Sequence, residues 1–89
     1  MKDLKVVMMG LGYIGLPTAA LIASRGIKVL GVDVNQSIVD TINEGRIHIV
    51  EPSLDGLVKN VVSRGLLVAS TKPEKADVYL IAVPTPFKG

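Results

Sequence analysis

A glycine-rich segment near the amino terminus could bind a phosphate group. Its pattern is Gly-x-Gly-x-x-Gly, with Gly10, Gly12 and Gly15 as the three glycines. Between a strand and a helix, the first glycine permits a tight turn, the second lets the backbone approach a pyrophosphate, and the third allows the helix to pack against the sheet. The amino terminus of the helix would offer N–H donors to the anion. The spacing therefore predicts that this turn, with Tyr13 and Ile14, binds a dinucleotide.

An acidic residue follows the turn at a distance typical of dinucleotide sites. Asp33 lies eighteen residues after Gly15, at the end of a second short apolar run. Its carboxylate would accept hydrogen bonds from the adenosine ribose and repel the additional phosphate of NADP. No Lys or Arg occurs at residues 34–36, so NAD is favoured as the cofactor. The alternatives are a turn in a domain that binds no nucleotide and an Asp33 that is only a solvated acid.

A second candidate contact with the cofactor is the Val-Pro-Thr-Pro segment at residues 83–86. It is predicted to end the fourth strand beside the first, where the strand order reverses and where ligands bind in such sheets. Val83, Pro84 and Thr85 are therefore predicted cofactor contacts, with a hydroxyl and a backbone amide available on Thr85. The alternative is a rigid loop that contacts no ligand.

The elements that must position these residues alternate between strands and helices. Short apolar runs predict strands, and amphipathic segments closed by glycine predict helices. The predicted strands are residues 5–9, 29–33, 66–70 and 78–83. The predicted helices are residues 13–25, a segment capped by Asn35 and closed by Gly45, and a segment capped by Ser53 and closed by Gly65. The link at 71–77 has room for one helical turn but is short for a parallel crossover.

This alternation predicts an α/β fold, a partial Rossmann doubly wound parallel sheet with strand order 3-2-1-4. Right-handed crossovers would place the helices on one face of the sheet. The opposite face lacks helices, so we expect apolar residues of the first and fourth strands to be exposed unless a partner or a longer enzyme covers them. Residues 1–89 are accordingly interpreted as the N-terminal part of a dinucleotide-binding domain in a longer enzyme.

The composition argues against several other classes of protein. Hydrophobic residues make up 48% and charged residues 20%, which is too apolar for a disordered segment. A formal charge of +2, scattered basic residues and few aromatic residues argue against nucleic-acid binding. There is no cysteine, which excludes a disulfide or thiol nucleophile in these residues, and no ligand cluster suggests a metal site. Glycines interrupt the apolar stretch at 6–23, which argues against a signal peptide or membrane span and favours the cytoplasm.

Several motifs resemble one known family, the UDP-glucose/GDP-mannose dehydrogenases, in the N-terminal NAD-binding domain. These motifs are residues 10–20, 31–33, 51–52, 76–77 and 83–86. The resemblance implies NAD as the cofactor and, in a longer homo-oligomeric protein, a two-step oxidation of a UDP-sugar to its uronic acid for polysaccharide biosynthesis. The catalytic cysteine and the sugar-nucleotide domain would lie in later parts of the chain, so these 89 residues are expected to bind NAD without catalysing a reaction.

The substrate implied by the resemblance depends on the links between the motifs. Residues 39–43, 47–52 and 81–89 are most similar to family members that oxidise UDP-N-acetyl-D-mannosamine, with UDP-glucose as the alternative substrate. A hypothesis from another class is a free-standing NAD-responsive module whose uncovered sheet face binds a partner.

Overall fold

A four-stranded parallel sheet organises residues 4–82, the part of the chain that the computed structural model describes. The elements are β1 (Lys5–Met9), α1 (Gly15–Ser24), β2 (Lys28–Val32), α2 (Gln36–Asn43), α3 (Pro52–Ser63), β3 (Leu67–Ser70) and β4 (Val78–Ile81). The strand order is β3-β2-β1-β4, with every neighbouring pair parallel. This confirms the predicted fold class and strand order. Within residues 4–82, no helix combines the length and the apolar character needed to cross a membrane.

All three described helices cover the same face of the sheet, as the right-handed crossovers predict. Because side chains alternate along a strand, every second residue points to this face. The strand residues buried against the helices are Val6, Met8, Val29, Leu67 and Ala69. The helix residues that meet them include Leu16, Ala20, Val39, Ile42, Leu54, Val58 and Val61. We call this side the helix-covered face.

The other side of the sheet, the helix-free face, carries a smaller buried cluster. Val7 of β1 is fully buried there beside two residues of β2, and Ala76 packs against this cluster. The expectation that β1 would expose its apolar residues is therefore wrong. It is confirmed for β4, where Tyr79 and Ile81 are 51% and 74% exposed.

Residues 71–77, the crossing link, explain why Val7 is buried. The chain moves from β1 through β2 to β3 with helices on one face, so a right-handed return to β4 must pass over the opposite face. The link contains no helical turn, contrary to the room expected for one. At about 3.4 Å per residue it can span about 24 Å, which exceeds the roughly 17 Å set by three interstrand spacings and the three-residue offset between the end of β3 and the start of β4. An extended link therefore suffices for a crossover that usually contains a helix.

Polar contacts hold the crossing link against the sheet. The Tyr79 hydroxyl donates to the Glu74 carbonyl oxygen at 2.8 Å and accepts the Ala76 N–H at 3.0 Å. The Asp77 Oδ2 atom accepts the Lys5 N–H at 2.9 Å. These bonds connect the link to the strands at the edge where β1 and β4 begin.

The helix starts show where local sequence rules succeed and fail. Asn35 caps α2 as predicted, because its Oδ1 atom accepts the Ser37 N–H at 2.9 Å. Ser53 does not cap α3, because that helix begins at Pro52 with Glu51 as the N-cap. Proline suits the first helical position, since its fixed φ is helical and its missing N–H would have no partner there. Helix α1 begins at Gly15 rather than at residue 13, which leaves the two preceding residues in the turn.

The outer edge of β3 is bonded by a side chain of α2. The Asn43 Nδ2 atom donates to the Ala69 carbonyl oxygen at 2.9 Å, and the Asn43 Oδ1 atom accepts the Ala69 N–H at 2.8 Å. The carbonyl oxygens of Leu66 and Ser70 accept bonds from the N–H groups of Val29 and Asp33. The backbone N–H and carbonyl of Ala69 therefore point away from β2. The Asn43 amide thus takes the place of a neighbouring strand at this residue.

Candidate cofactor-binding site

The glycine-rich turn connects β1 to α1 at the carboxyl end of the sheet. Gly10 has φ +101°, a left-handed conformation that glycine adopts readily. The Gly10 N–H donates to the Val32 carbonyl oxygen at 2.7 Å, which continues the pairing of β1 with β2. A Cβ added at Gly15 would overlap the Gly10 carbonyl oxygen. The first and third glycines therefore let α1 start directly against the end of β1.

The turn presents backbone donors to an open region. Among residues 4–82, the N–H groups of Gly12, Tyr13, Ile14 and Gly15 have no hydrogen-bond acceptor, and no side chain caps α1. A Cβ added at Gly12 would have no heavy atom within 4 Å, and the side chains of Tyr13 and Ile14 are 71% and 70% exposed. Unpaired donors at a helix amino terminus favour a bound anion. The described turn therefore fits a pyrophosphate.

Asp33 joins the two loops that border this region. Its Oδ2 atom accepts the Leu11 N–H at 3.0 Å, and its Oδ1 atom accepts the Asn35 N–H at 3.0 Å. An ionised carboxylate has about four acceptor positions, so each oxygen keeps capacity for a ribose hydroxyl. The sequence did not predict this double backbone contact, which orients the carboxylate from both sides.

A cleft of about 180 Å³ lies between the turn and the end of β4, lined by Gly12, Tyr13, Ile14 and Ala82. It lies where the connections on either side of β1 diverge, which is the usual ligand position in doubly wound sheets. The described residues thus place the glycine-rich turn and Asp33 at the same edge of the sheet. Val83, Pro84 and Thr85 lie outside the described residues, so their contacts with the cofactor remain predictions.

Sequence reasoning missed two residues that support the turn. Leu11, the second residue of the motif, is fully buried although it lies within the turn. It packs over Gly31, a glycine inside β2. The available signal was the glycine itself, because glycine within a strand often marks a close approach by another part of the chain.

A parallel sheet ordered β3-β2-β1-β4, with a glycine-rich turn after β1 and an acid after β2, defines a Rossmann-type dinucleotide-binding unit. Residues 4–89 match the NAD binding domain of the UDP-glucose/GDP-mannose dehydrogenase family. The chain belongs to this family, and NAD is the cofactor of the matched domain.

Three relatives illustrate the similarity. The UDP-N-acetyl-D-mannosamine dehydrogenase of Campylobacter jejuni is 69% identical over 85 residues, covering 96% of this chain and 21% of the relative. The NDP-N-acetyl-D-galactosaminuronic acid dehydrogenase of Ralstonia nicotianae is 66% identical over 82 residues, covering 92% of this chain and 19% of the relative. The solved structure of the UDP-N-acetyl-mannosamine dehydrogenase from Staphylococcus aureus superposes with a TM-score of 0.89 at 51% identity, covering 92% and 20% of the two chains. This chain therefore spans about a fifth of the length of these relatives.

Proposed function

We propose that these residues supply the NAD-binding part of a dehydrogenase that oxidises UDP-N-acetyl-D-mannosamine to its uronic acid in two NAD-dependent steps. The observation that carries the NAD site is the set of unpaired N–H groups at the start of α1 beside the oriented Asp33 carboxylate. The choice of sugar is supported by relatives that are named for this substrate at 69% and 51% identity. Bound NAD would accept a hydride from the substrate carbon.

The proposed roles of the residues follow from their geometry. The N–H groups of Gly12, Tyr13, Ile14 and Gly15 would donate to the pyrophosphate, with Gly10 shaping the turn. The Asp33 carboxylate would accept the ribose hydroxyls through the acceptor positions that Leu11 and Asn35 leave free. Val83, Pro84 and Thr85 are proposed as further contacts.

The same geometry supports a preference for NAD over NADP. Two backbone donors hold the Asp33 carboxylate at this edge, where the additional phosphate of NADP would meet a like charge. The next residue, Val34, is 94% exposed and carries no charge that could offset this repulsion. NADP is therefore expected to bind more weakly than NAD.

Calorimetric titration of NAD and then NADP into the 89-residue chain, with circular dichroism to verify folding, tests the cofactor site. We expect saturable NAD binding, and Asp33→Ala should weaken it roughly 10- to 100-fold through loss of charged hydrogen bonds. Asp55→Ala, a change of an exposed carboxylate in α3, is the matched control and should leave the affinity unchanged. A folded chain that binds neither nucleotide would contradict the proposed site.

The substrate requires a separate assay on the longer protein that we propose contains these residues. UDP-N-acetyl-D-mannosamine should yield two NADH per sugar and should be preferred over UDP-glucose and over a nucleotide-linked N-acetyl-D-galactosamine sugar. The last is included because a relative named for the galactosaminuronic acid is 66% identical, close to the value for the mannosamine enzyme. A clear preference for another sugar would overturn the assignment of substrate while leaving the NAD site intact.

We also propose that residues 1–89 are the N-terminal part of the domain and that the rest of the enzyme covers the helix-free face. Val68, Tyr79 and Ile81 are 48%, 51% and 74% exposed there, which supports burial against further chain. Relatives about five times longer support the same proposal. The alternative, a free-standing module that binds a partner through this face, predicts stable complexes of the 89-residue chain in light scattering after size exclusion. A chain that stays monomeric and captures no other protein would contradict that alternative.

The cellular setting belongs to the same proposal. We place the longer enzyme in the cytoplasm as a homo-oligomer that supplies uronic acids for polysaccharide biosynthesis. The names of the relatives support the uronic-acid part of this proposal, since one of them is named for N-acetyl-D-galactosaminuronic acid. Light scattering on the longer enzyme and fractionation of cells that produce it would test the oligomer and the compartment.

A further inference from the structure

Gly31, in β2, is a glycine whose backbone does not require glycine. Its φ lies outside the left-handed region. The described residues that do have a left-handed φ are Gly10, Gly26, Gly45 and Gly65. Glycine inside a strand lowers stability, so its presence indicates a need for space. A Cβ added at Gly31 would lie 2.7 Å from Leu11 Cδ2, 3.0 Å from Leu11 Cδ1 and 3.3 Å from Leu11 Cγ. Leu11 therefore occupies the space that a side chain at residue 31 would need.

Leu11 is the point at which the glycine-rich turn enters the core. Its side chain is fully buried, whereas the side chain of Tyr13, two residues later, is 71% exposed. The turn contacts three consecutive residues at the end of β2. The Leu11 side chain covers Gly31, the preceding N–H donates to the Val32 carbonyl at 2.7 Å, and the Leu11 N–H donates to Asp33 Oδ2 at 3.0 Å.

A side chain at residue 31 would therefore displace the turn. Rotation about χ2 of Leu11 would give little relief, because both methyl carbons and Cγ lie against the same position. The rest of the Leu11 side chain is enclosed in a close-packed core, so the displacement passes to its backbone. That backbone carries the N–H bonded to Asp33 and leads directly to Gly12, whose N–H is proposed to face the pyrophosphate.

We infer that Gly31 is a positioning residue for the cofactor, setting the place of the phosphate-binding turn relative to the ribose-binding Asp33 through Leu11. This inference rests on the proposed placement of NAD on the turn. Gly31 itself lies on the helix-covered face and is not among the residues proposed to contact NAD.

The test exchanges volume between the two residues. Gly31→Val adds three side-chain carbons and Leu11→Ala removes three, so the double variant keeps the total volume. We expect Gly31→Val to weaken NAD binding about tenfold and Leu11→Ala to weaken it by a similar factor, because both misplace preorganised donors. The double variant should recover most of the affinity. Gly31→Ala, with a single added carbon, gives a smaller loss in the same direction and serves if Gly31→Val does not fold.

A matched control separates positioning from general destabilisation. Ala23→Val also overpacks a fully buried site, at a residue about 12 Å along α1 from Gly15. It should lower the urea midpoint while the calorimetric Kd for NAD of the folded chain stays within about twofold of the unsubstituted value. Amide hydrogen exchange at Gly10 and Leu11 should accelerate in Gly31→Val by more than its loss of global stability accounts for, and in Ala23→Val by no more than that loss.

The outcomes distinguish this inference from the proposed cofactor site. Retained NAD affinity in folded Gly31→Val and Gly31→Ala chains would overturn the role of Gly31 and leave the cofactor site standing. Loss of affinity that the double variant does not restore would overturn the volume coupling with Leu11. An unsubstituted folded chain that binds no NAD would overturn the site itself, and with it this inference.

Discussion

The helix-covered and helix-free faces of the sheet are buried by different means. On the helix-covered face, three helices bury apolar residues from β1, β2 and β3 and pack against those of β4. On the helix-free face, the crossing link at residues 71–77 covers Val7 and its neighbours on β2 but leaves Tyr79 and Ile81 exposed. The difference follows from the connections, because each crossover helix presents a wide apolar stripe whereas one extended link covers a narrow band. Most of the stability of residues 4–82 should therefore come from the helix-covered face.

The largest expected effect on the free energy of unfolding comes from truncating a buried isoleucine on the helix-covered side, compared with an exposed isoleucine on the helix-free face. Ile42→Ala in α2 removes a fully buried side chain and should lower the free energy of unfolding by about 2–5 kcal/mol. Ile81→Ala on the helix-free face should change it by less than about 0.5 kcal/mol, because that side chain is largely exposed. Urea unfolding followed by circular dichroism measures both values. Equal losses would mean that Ile81 is buried in solution.

The next effect concerns the bonds between α2 and the edge of β3. Asn43→Ala leaves the N–H and carbonyl of Ala69 without their partner, and Ala69 is only 5% exposed. We expect a loss of about 1–3 kcal/mol in the free energy of unfolding, the cost of unsatisfied buried polar groups. Asn60→Ala, on the exposed surface of α3, is the control and should have little effect. Unchanged stability in Asn43→Ala would show that water satisfies this edge.

A smaller effect is expected for the contacts of the crossing link. Tyr79→Phe removes the hydroxyl that bonds Glu74 and Ala76, and it should lower the free energy of unfolding by about 0.5–1.5 kcal/mol. Amide exchange at Ala76 should accelerate, since its N–H loses its acceptor. Tyr13→Phe, at a side chain that is 71% exposed, is the control and should leave stability unchanged. An unaltered exchange rate at Ala76 would count against the link as a fixed cover.

The smallest effect should come from the ion pair on the helix-free face. Lys5 Nζ and Glu74 Oε1 are 2.6 Å apart, but their side chains are 40% and 61% exposed. Glu74→Gln should therefore lower the free energy of unfolding by no more than about 1 kcal/mol, and added salt should reduce the difference. A double-mutant cycle with Lys5→Met isolates the pair. A coupling that salt does not weaken would indicate a more buried pair than the structure shows.

Short-range patterns predicted much of the fold, and long-range contacts escaped them. The bounds of β1, the Asn35 cap and the turn at Gly10 depend on residues within a few positions of one another. The burial of Val7 and the bond from the Leu11 N–H to Asp33 depend on segments far apart in sequence, which periodicity and spacing do not detect. The start of α3 was misplaced because two local signals competed, and Pro52 prevailed over Ser53.

In the candidate site, too, the sequence motif predicted some features and not others. The motif predicted which glycines form the turn and which acid accompanies it. It did not predict that Asp33 is held by the N–H groups of Leu11 and Asn35, nor that Leu11 needs a glycine on the adjacent strand. The two supports that involve Leu11 join segments about twenty residues apart, so a structure was required to find them, whereas Asn35 lies only two residues from Asp33.

The Asn43 contact makes the two outer edges of the sheet differ in their free backbone groups. Its side-chain amide occupies the outer edge of β3 at Ala69, whereas no side chain within residues 4–82 bonds the backbone of β4. An incoming strand, whether from the same polypeptide or from a neighbour, should therefore add more readily beside β4 than beside β3. Molecules that associate through β4 would favour pairs over longer assemblies, because each member turns outward the β3 edge, where Asn43 already occupies the backbone groups of Ala69.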